Sequence, residues 1–327
     1  MTVVAWTLAA PVAVFTVIRV LGLERGTPLV QFVTYTPYAA LLSVLAGAAA
    51  AFTAPGPGLV LLGCGLVLGG VVVPRLIPRP APGDGVRLRV MCANLLYGRG
   101  ATQAFVDQLK VDDVDVLAVQ ELTDEGLAAL DAAGIDALLP YRVLATAPGG
   151  GGSGLFSRHP ITGPVIRTHT PIPLKQTGAT VLVPGAGEIL VESAHPYPPR
   201  PGHVAAWHQN IRAQAVPDPH GPPRILLGDF NATLDHRVLR ELLRAGYRDA
   251  AAERGRGLVP TWPCRTETLP FWTPPVTLDH VLADRRIGVR EFATRHPGES
   301  DHNVVVAELV LPPAGPITPG DSPAAPD

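Results

Sequence analysis

Between Gly26 and Pro74 the chain carries no Asp, Glu, Lys or Arg, and nothing else in it restricts the fold so severely. A soluble helix needs a polar face, and a stretch this long without charge has none to offer. The apolar excess is local: the first eighty residues hold only Arg19, Glu24, Arg25, Arg75 and Arg79 as charged side chains. About 20 residues rising ~1.5 Å each cover the ~30 Å hydrocarbon core of a bilayer. Residues 3–20, 29–52 and 59–73 with their flanks therefore read as three transmembrane helices, with the Pro-Gly-Pro-Gly turn at 55–58 between the last two. A cleaved signal peptide fits the first segment less well, because a basic leader is missing and two more apolar segments follow. Three crossings put the remainder of the chain on the side opposite its amino terminus. Arg19, Arg25, Arg75 and Arg79 fall on that side, which by the positive-inside tendency is the cytoplasm.

The organisation expected is a membrane anchor over 1–78, a Pro-rich linker over 79–85, a soluble domain over 86–311 and a Pro-rich disordered tail over 312–327. Apolar alternation and runs predict strands at 87–94, 114–120, 154–157, 188–194, 224–227, 278–283 and 303–311. Helices fit 101–110, 204–216 and 236–245. Short strands with few helices point to an α/β domain of two packed sheets flanked by helices, not a parallel wound sheet. Residues 81–327 hold 22 basic and 27 acidic side chains, a formal charge of −5. That balance disfavours a grip on long nucleic acid through many phosphates. It favours a single phosphoester, or a site that uses bound metal against phosphate charge. Cys64, Cys92 and Cys264 have neither disulfide nor zinc spacing and read as small buried apolar residues.

Polar residues at strand ends carry the chemistry. Asn94 and Glu121 each follow an apolar strand, and His195 closes Glu-Ser-Ala-His. In Gly228-Asp-Phe-Asn231, alternate residues at a strand end would put the Asp229 carboxylate and the Asn231 amide on one side. Asp279 and the pair Asp301-His302 supply what a hydrolase needs: a carboxylate to fix an imidazole's tautomer, and an imidazole to take a proton near neutral pH. Each piece alone is ordinary, Asn94 as a turn cap, Glu121 as a solvated turn residue, His195 as a packed imidazole. The remaining histidines, His236 among them, read as surface or packing residues.

Taken in order, Asn94, Gln120-Glu121, the segment 152–161, His195, 228–231, 278–282 and 300–302 resemble the endonuclease/exonuclease/phosphatase family over roughly residues 86–311. That metal-dependent group includes deoxyribonuclease-like nucleases, neutral sphingomyelinases and inositol polyphosphate 5-phosphatases. The resemblance implies a four-layer α/β sandwich of two packed mixed β-sheets flanked by helices. It implies Mg²⁺, with Mn²⁺ as the alternative, held by Glu121 with Asn94 and Asp301. It gives His302, oriented by Asp279, the attacking water; Asp229 aligns that water or the leaving group, and Asn231 and His195 contact phosphate oxygens. The family often has Arg at or just before the residue preceding the late-strand Asp, where Thr277-Leu278 stands here. Around 246–249 and 261–263 the chain is similar to the substrate loop of membrane-tethered bacterial members, which makes Trp262 a candidate to line the substrate pocket, against the alternative of a packed loop aromatic. Those relatives point the catalytic domain outward.

The expected function is Mg²⁺-dependent hydrolysis of a phosphodiester, nucleic acid or phospholipid headgroup, by a multi-pass cell-membrane protein with an extracellular catalytic domain and no obligate protein partner. A phosphomonoesterase on the same scaffold and a catalytically silent, membrane-tethered binding module are the alternatives.

Overall fold

In the strand Val86–Asn94, Leu88, Val90 and Cys92 turn to one side and Met91 and Ala93 to the other, and both sides are buried. A strand apolar on both faces belongs inside a layered structure. The computed structural model describes residues 2–264, 273–296 and 298–313. From residue 314 the expected tail lies outside the described residues. Twelve strands follow in chain order among those described: β1 (Val86–Asn94), β2 (Val116–Gln120), β3 (Tyr141–Ala145), β4 (Ser153–Ser157), β5 (Ile161–Thr168), β6 (Lys175–Val183), β7 (Gly187–Ala194), β8 (Arg224–Asp229), β9 (Tyr247–Asp249), β10 (Asp279–Asp284), β11 (Gly288–Arg295) and β12 (Val304–Leu311).

They form two six-stranded sheets, ordered β11-β12-β1-β2-β4-β3 and β5-β6-β7-β8-β10-β9. Each is mixed, because β1 runs parallel to β2 and β7 parallel to β8 while the other pairs are antiparallel. The sheets meet over one apolar layer, with Leu88, Val90 and Leu155 facing Val181, Ile189 and Val281. Helices cover both outer faces. On the first sheet Phe105, Leu109 and Leu130 pack against Met91, Leu117 and Val119. Their helices, Gln103–Val111 and Asp124–Ala132, start where the Thr102 and Thr123 hydroxyls accept backbone N–H groups at 3.2 and 3.1 Å. On the second, Trp207 and Leu239, from Val204–Arg212 and Arg237–Arg244, pack against Leu226 and Leu282.

The amino-terminal region differs from the expectation. It contains α1 (Thr2–Leu21), α2 (Leu29–Val33), α3 (Thr36–Ala50) and α4 (Pro55–Val72). The expected span 29–52 is thus two helices, broken at Thr34 and Tyr35, and Pro37 opens the second. Fifteen residues of α3 rise about 22 Å, short of a ~30 Å core. Among the described residues one helix, Pro55–Leu76, is long and apolar enough to cross a membrane, and Thr36–Ala50 falls short. Three spanning helices are therefore not supported.

Backbone proximity holds α3 and α4 together. A Cβ on Gly47 would lie 2.5 Å from the Leu62 nitrogen, and one on Gly58 would lie 2.6 Å from the Ala51 nitrogen. Only glycine permits that approach. This helical unit is also fastened to the sandwich by polar contacts. Asp235, 1 % exposed, accepts from Arg19 Nε at 2.9 Å and from Arg75 Nη1 and Nη2 at 2.8 and 2.6 Å. Glu24 accepts the Arg237 N–H, and His236 Nε2 stands 3.0 Å from the Val30 carbonyl. The expected linker runs against the same domain, since the Arg79 N–H donates to Glu253 O at 2.9 Å. The other surface of the unit is apolar: of the 25 large hydrophobic side chains left exposed among the described residues, 19 lie between Trp6 and Ile77.

Candidate active site

Topology brings the strand-end residues to one edge. β1 and β2 run parallel with Asn94 opposite Gln120, and β7 and β8 run parallel with Ala194 opposite Gly228. Their carboxyl ends leave the sandwich on the same side, carrying Asn94, Glu121, His195 and Asp229. The antiparallel neighbours start there: β10 opens with Asp279 opposite Asp229, and β12 opens just after His302. Functional groups thus hang on the rigid ends of central strands, where their directions are fixed.

Gly228 makes the two sheets meet here. Its φ is +147°, and a Cβ would lie 2.1 Å from the Ala194 carbonyl and 2.7 Å from Gln120 Nε2. Of the five non-glycine residues with positive φ among the described residues, Leu96, Tyr97, Glu121 and Asn231 border this edge. Strained backbone of this kind persists where surroundings over-determine it, and it concentrates at functional sites.

Contacts across the edge are short. Asn94 Nδ2 donates to Glu121 Oε1 at 3.0 Å and to Asp229 Oδ2 at 3.2 Å, while its Oδ1 accepts from the Leu96 N–H at 3.0 Å. Asn94 thereby braces two carboxylates from different sheets, and turning its amide over would aim its oxygen at the same place. Glu121 Oε2 accepts the Tyr97 N–H at 3.0 Å. His302 Nδ1 and Asp279 Oδ2 lie 2.9 Å apart, and His302 Nε2 is 3.8 Å from Asp229 Oδ2. His195 Nε2 approaches the same Asp229 oxygen at 3.8 Å. The Trp262 indole N–H donates to Asp301 Oδ2 at 3.1 Å, with its ring 6.3 Å from that of His302. Asn231 stays beside Asp229 by a route other than strand alternation: β8 ends at Asp229, and the Asn231 N–H folds back to Asp229 Oδ1 at 2.8 Å.

Glu121, His195, Asp229, Asn231, Trp262, Asp301 and His302 line one cleft of about 610 Å³, with Asn94 and Asp279 behind them. Burial raises the Glu121 carboxyl, and Asp301 adds to the effect against its hydrogen bonds from Asn94 and Tyr97. Burial likewise raises Asp229, with His302 opposing. Burial works to lower His302, but Asp279 and Asp229 overcome it and lift the imidazole to about 10. Burial, with the charge of neighbouring His302 adding to it, pushes His195 down to about 3. Asp229 thus lies between an imidazole whose charged form is favoured and one whose neutral form is favoured.

The donor set fits a divalent cation. Asp301 Oδ1 is buried without a hydrogen-bond partner, and Glu121 faces the same cleft with its charged form disfavoured. Underpaired carboxylate oxygens are what a hard cation such as Mg²⁺ takes. Asp229, Asp279 and His302 also bring ligand atoms within 4.8 Å of one another. In that trio His302 Nδ1 is engaged by Asp279 while Nε2 and Asp279 Oδ1 are not, so both this group and the Glu121–Asp301 pair have atoms that could hold an ion.

Sequence reasoning passed over several contributors. Thr261 Oγ1 accepts the Leu278 and Asp279 N–H groups at 2.9 and 3.1 Å and fixes the start of β10. Ser300 Oγ donates to Asn94 O at 2.7 Å and accepts the His302 N–H at 3.1 Å. His280, inside a quoted motif but given no role, is a buried brace between Asp249 at 2.9 Å and Ala232 O at 2.8 Å. Least expected, Gln31, Thr34 and Tyr35 of the amino-terminal unit line the cleft opposite the catalytic edge.

Comparison with known proteins adds to this geometry. The sequence profile described as "Endonuclease/Exonuclease/phosphatase family" matches residues 91–302. No curated protein matches the chain. Among solved structures, a humanized D. rerio TDP2 is similar at 14% identity and a TM-score of 0.56, covering 68% of this chain and 98% of that one. A truncated Caenorhabditis elegans TDP2 gives 16% identity and 0.55, covering 70% and 99%. An endonuclease/exonuclease/phosphatase from Beutenbergia cavernae gives 17% and 0.53, covering 69% and 72%. At such identities the solved structures speak for the fold.

Proposed function

We infer the reaction from one premise: the chain belongs to the endonuclease/exonuclease/phosphatase family and is a hydrolase acting on phosphoester bonds. Its activity is Mg²⁺-dependent hydrolysis of a phosphodiester by in-line attack of water. The observation that carries this reading is the His302–Asp279 pair, 2.9 Å apart, with the far imidazole nitrogen turned into the cleft beside Asp229.

Each residue then has a role its position allows. Asp279 fixes the His302 tautomer, so that Nε2 faces the water and takes its proton. Asp229, within 3.8 Å of both imidazoles, orients the water or the leaving group. Neutral His195 and the amide of Asn231 offer hydrogen bonds to phosphate oxygens without adding net charge. Trp262 holds Asp301 in place and gives the substrate an aromatic wall. Glu121 and Asp301, with Asn94 behind them, hold the cation. When bound, it supplies positive charge that stabilises the pentavalent centre and offsets the carboxylates keeping His302 protonated.

A membrane location belongs to the same proposal. It is supported by the apolar outer surface of residues 6–77 and by the length of Pro55–Leu76. The side on which the catalytic domain lies is proposed as extracellular, on the resemblance to membrane-tethered bacterial members, and cysteine labelling from each side at 54–58 tests it.

The reaction is tested on the full chain in detergent with bis-p-nitrophenyl phosphate. Hydrolysis should require Mg²⁺, stop with a chelator, and fall about 10²–10⁴-fold in His302→Ala, the range for losing a general base. Equal turnover by that variant would remove His302 from the mechanism.

A further inference from the structure

Beside the catalytic cleft lies a second cavity, of about 520 Å³, between α3, α4 and the sandwich. Its walls are apolar: Pro37, Leu41, Val44, Val72 and Leu76 from the helical unit, with Val276 from the catalytic domain. Its two charged lining residues, Arg75 and Asp235, bond to each other at 2.6 Å and leave no free charge facing inward. Both volumes fall in the ~300–1,000 Å³ range of small-ligand sites.

The two cavities adjoin. Thr34 and Val276 line both, so a molecule held in the polar cleft would have the apolar groove at its side. The boundary is held in place: Tyr38 Oη donates to Pro275 O at 2.7 Å, Gln31 Nε2 donates to Pro199 O, and His236 holds the Val30 carbonyl. The groove takes its helical walls from the start of α3 and the end of α4. Both are the ends nearest the sandwich, where a bilayer surrounding these helices would change from headgroups to chains.

We propose that this groove is an acyl-chain site and that the substrate is a membrane phospholipid, its headgroup phosphodiester in the cleft and one chain between α3, α4 and Val276. The assignment rests on the phosphodiesterase reading above. Water adds to phosphorus, the bond from phosphorus to the leaving oxygen breaks, and the proton taken from water passes to that oxygen, giving a phosphomonoester and an alcohol. A long nucleic acid suits the site less, since residues 81–327 carry a formal charge of −5 and Gln31, Thr34 and Tyr35 wall the cleft on the apolar unit's side.

Gly69 provides the test. It lines the groove, and a Cβ there would meet no heavy atom within 4 Å. Gly69→Ala therefore adds a methyl group that meets nothing, and Gly69→Leu is expected to take up more of the groove. Full-length protein with Mg²⁺ is assayed on a dioleoyl glycerophospho-p-nitrophenyl ester, on its dibutyryl counterpart and on bis-p-nitrophenyl phosphate. The wild type should prefer the dioleoyl over the dibutyryl ester in kcat/KM. Gly69→Leu should cut that ratio about tenfold or more, Gly69→Ala should cut it less, and neither should change bis-p-nitrophenyl phosphate turnover. An unchanged ratio in Gly69→Leu overturns the acyl-chain site while leaving the reaction intact. A higher kcat/KM on plasmid DNA than on the dioleoyl ester overturns the lipid assignment in favour of nucleic acid. If bis-p-nitrophenyl phosphate is not cleaved, the reaction reading fails, and native mass spectrometry of the dioleoyl ester on wild type against Gly69→Leu decides the groove alone.

Discussion

The helical unit and the sandwich bury opposite things. In the sandwich, Leu88, Val90 and Ile225 are fully enclosed, and buried charge away from the catalytic edge, such as Asp249 with His280, is paired within it. In the helical unit, Leu41, Leu42, Leu45 and Leu66 stand more than half exposed, while Arg19, Glu24 and Arg75 are below 10 %. The first pattern is that of a chain folded against water, and the second sets apolar side chains outward and charged ones against the sandwich. The amino-terminal unit is thus part of the catalytic body: Arg19, Glu24 and Arg75 dock it to the sandwich, and many of its apolar side chains face away.

Mutations should separate these two economies. Asp279→Asn, at the catalytic edge, should lower kcat/KM about 10²–10⁴-fold while leaving the thermal midpoint of the full chain in place. Because Asp279 raises His302, the acid limb of the pH–rate profile should move to lower pH; an unmoved limb would break the pairing. Asp235→Ala, at the docking face, should do the reverse. It leaves two buried arginines unpaired, a loss of about 3–5 kcal/mol, read as a lower midpoint and as faster hydrogen exchange over residues 29–35.

Acid should loosen the same face by a smaller amount. His236 is fully buried, accepts the Thr233 N–H on Nδ1 at 2.8 Å, and is pushed by burial to about 4. With a folded value below the ordinary one, the docked state binds fewer protons, so its stability is intact above pH ~6.5 and drains as pH falls towards 4. Full protonation would cost on the order of 3 kcal/mol, and His236→Gln should flatten that dependence. The smallest effect expected is from Tyr38→Phe, which removes one partly exposed hydrogen bond to Pro275 and should cost about 1 kcal/mol or less.

Much of the catalytic edge was legible because polar residues at the ends of apolar strands stand out in a one-dimensional text. Asn94, Glu121, Asp229 and His302 each end or precede such a run. Strands β5 and β6 were not legible: β5 is exposed along nearly its whole length, and Thr177, Gly178 and Thr180 interrupt the apolar pattern of β6, so neither shows a buried face. The division of 29–52 was hidden by uniform composition, though Pro37, at home in the first turn of a helix and not in its middle, was a usable mark. Docking was invisible because its partners are far apart in sequence. The sparseness of Arg19, Glu24 and Arg75 in an apolar region was nevertheless a hint that each needed a partner.

Asp235 receives one arginine from the end of the first helix and another from just beyond the fourth, across 216 and 160 positions. During synthesis both arginines leave the ribosome long before the carboxylate that neutralises them. The amino-terminal helices therefore cannot latch onto this carboxylate until most of the enzyme has been made, and a chain truncated before residue 235 would carry two cations without it.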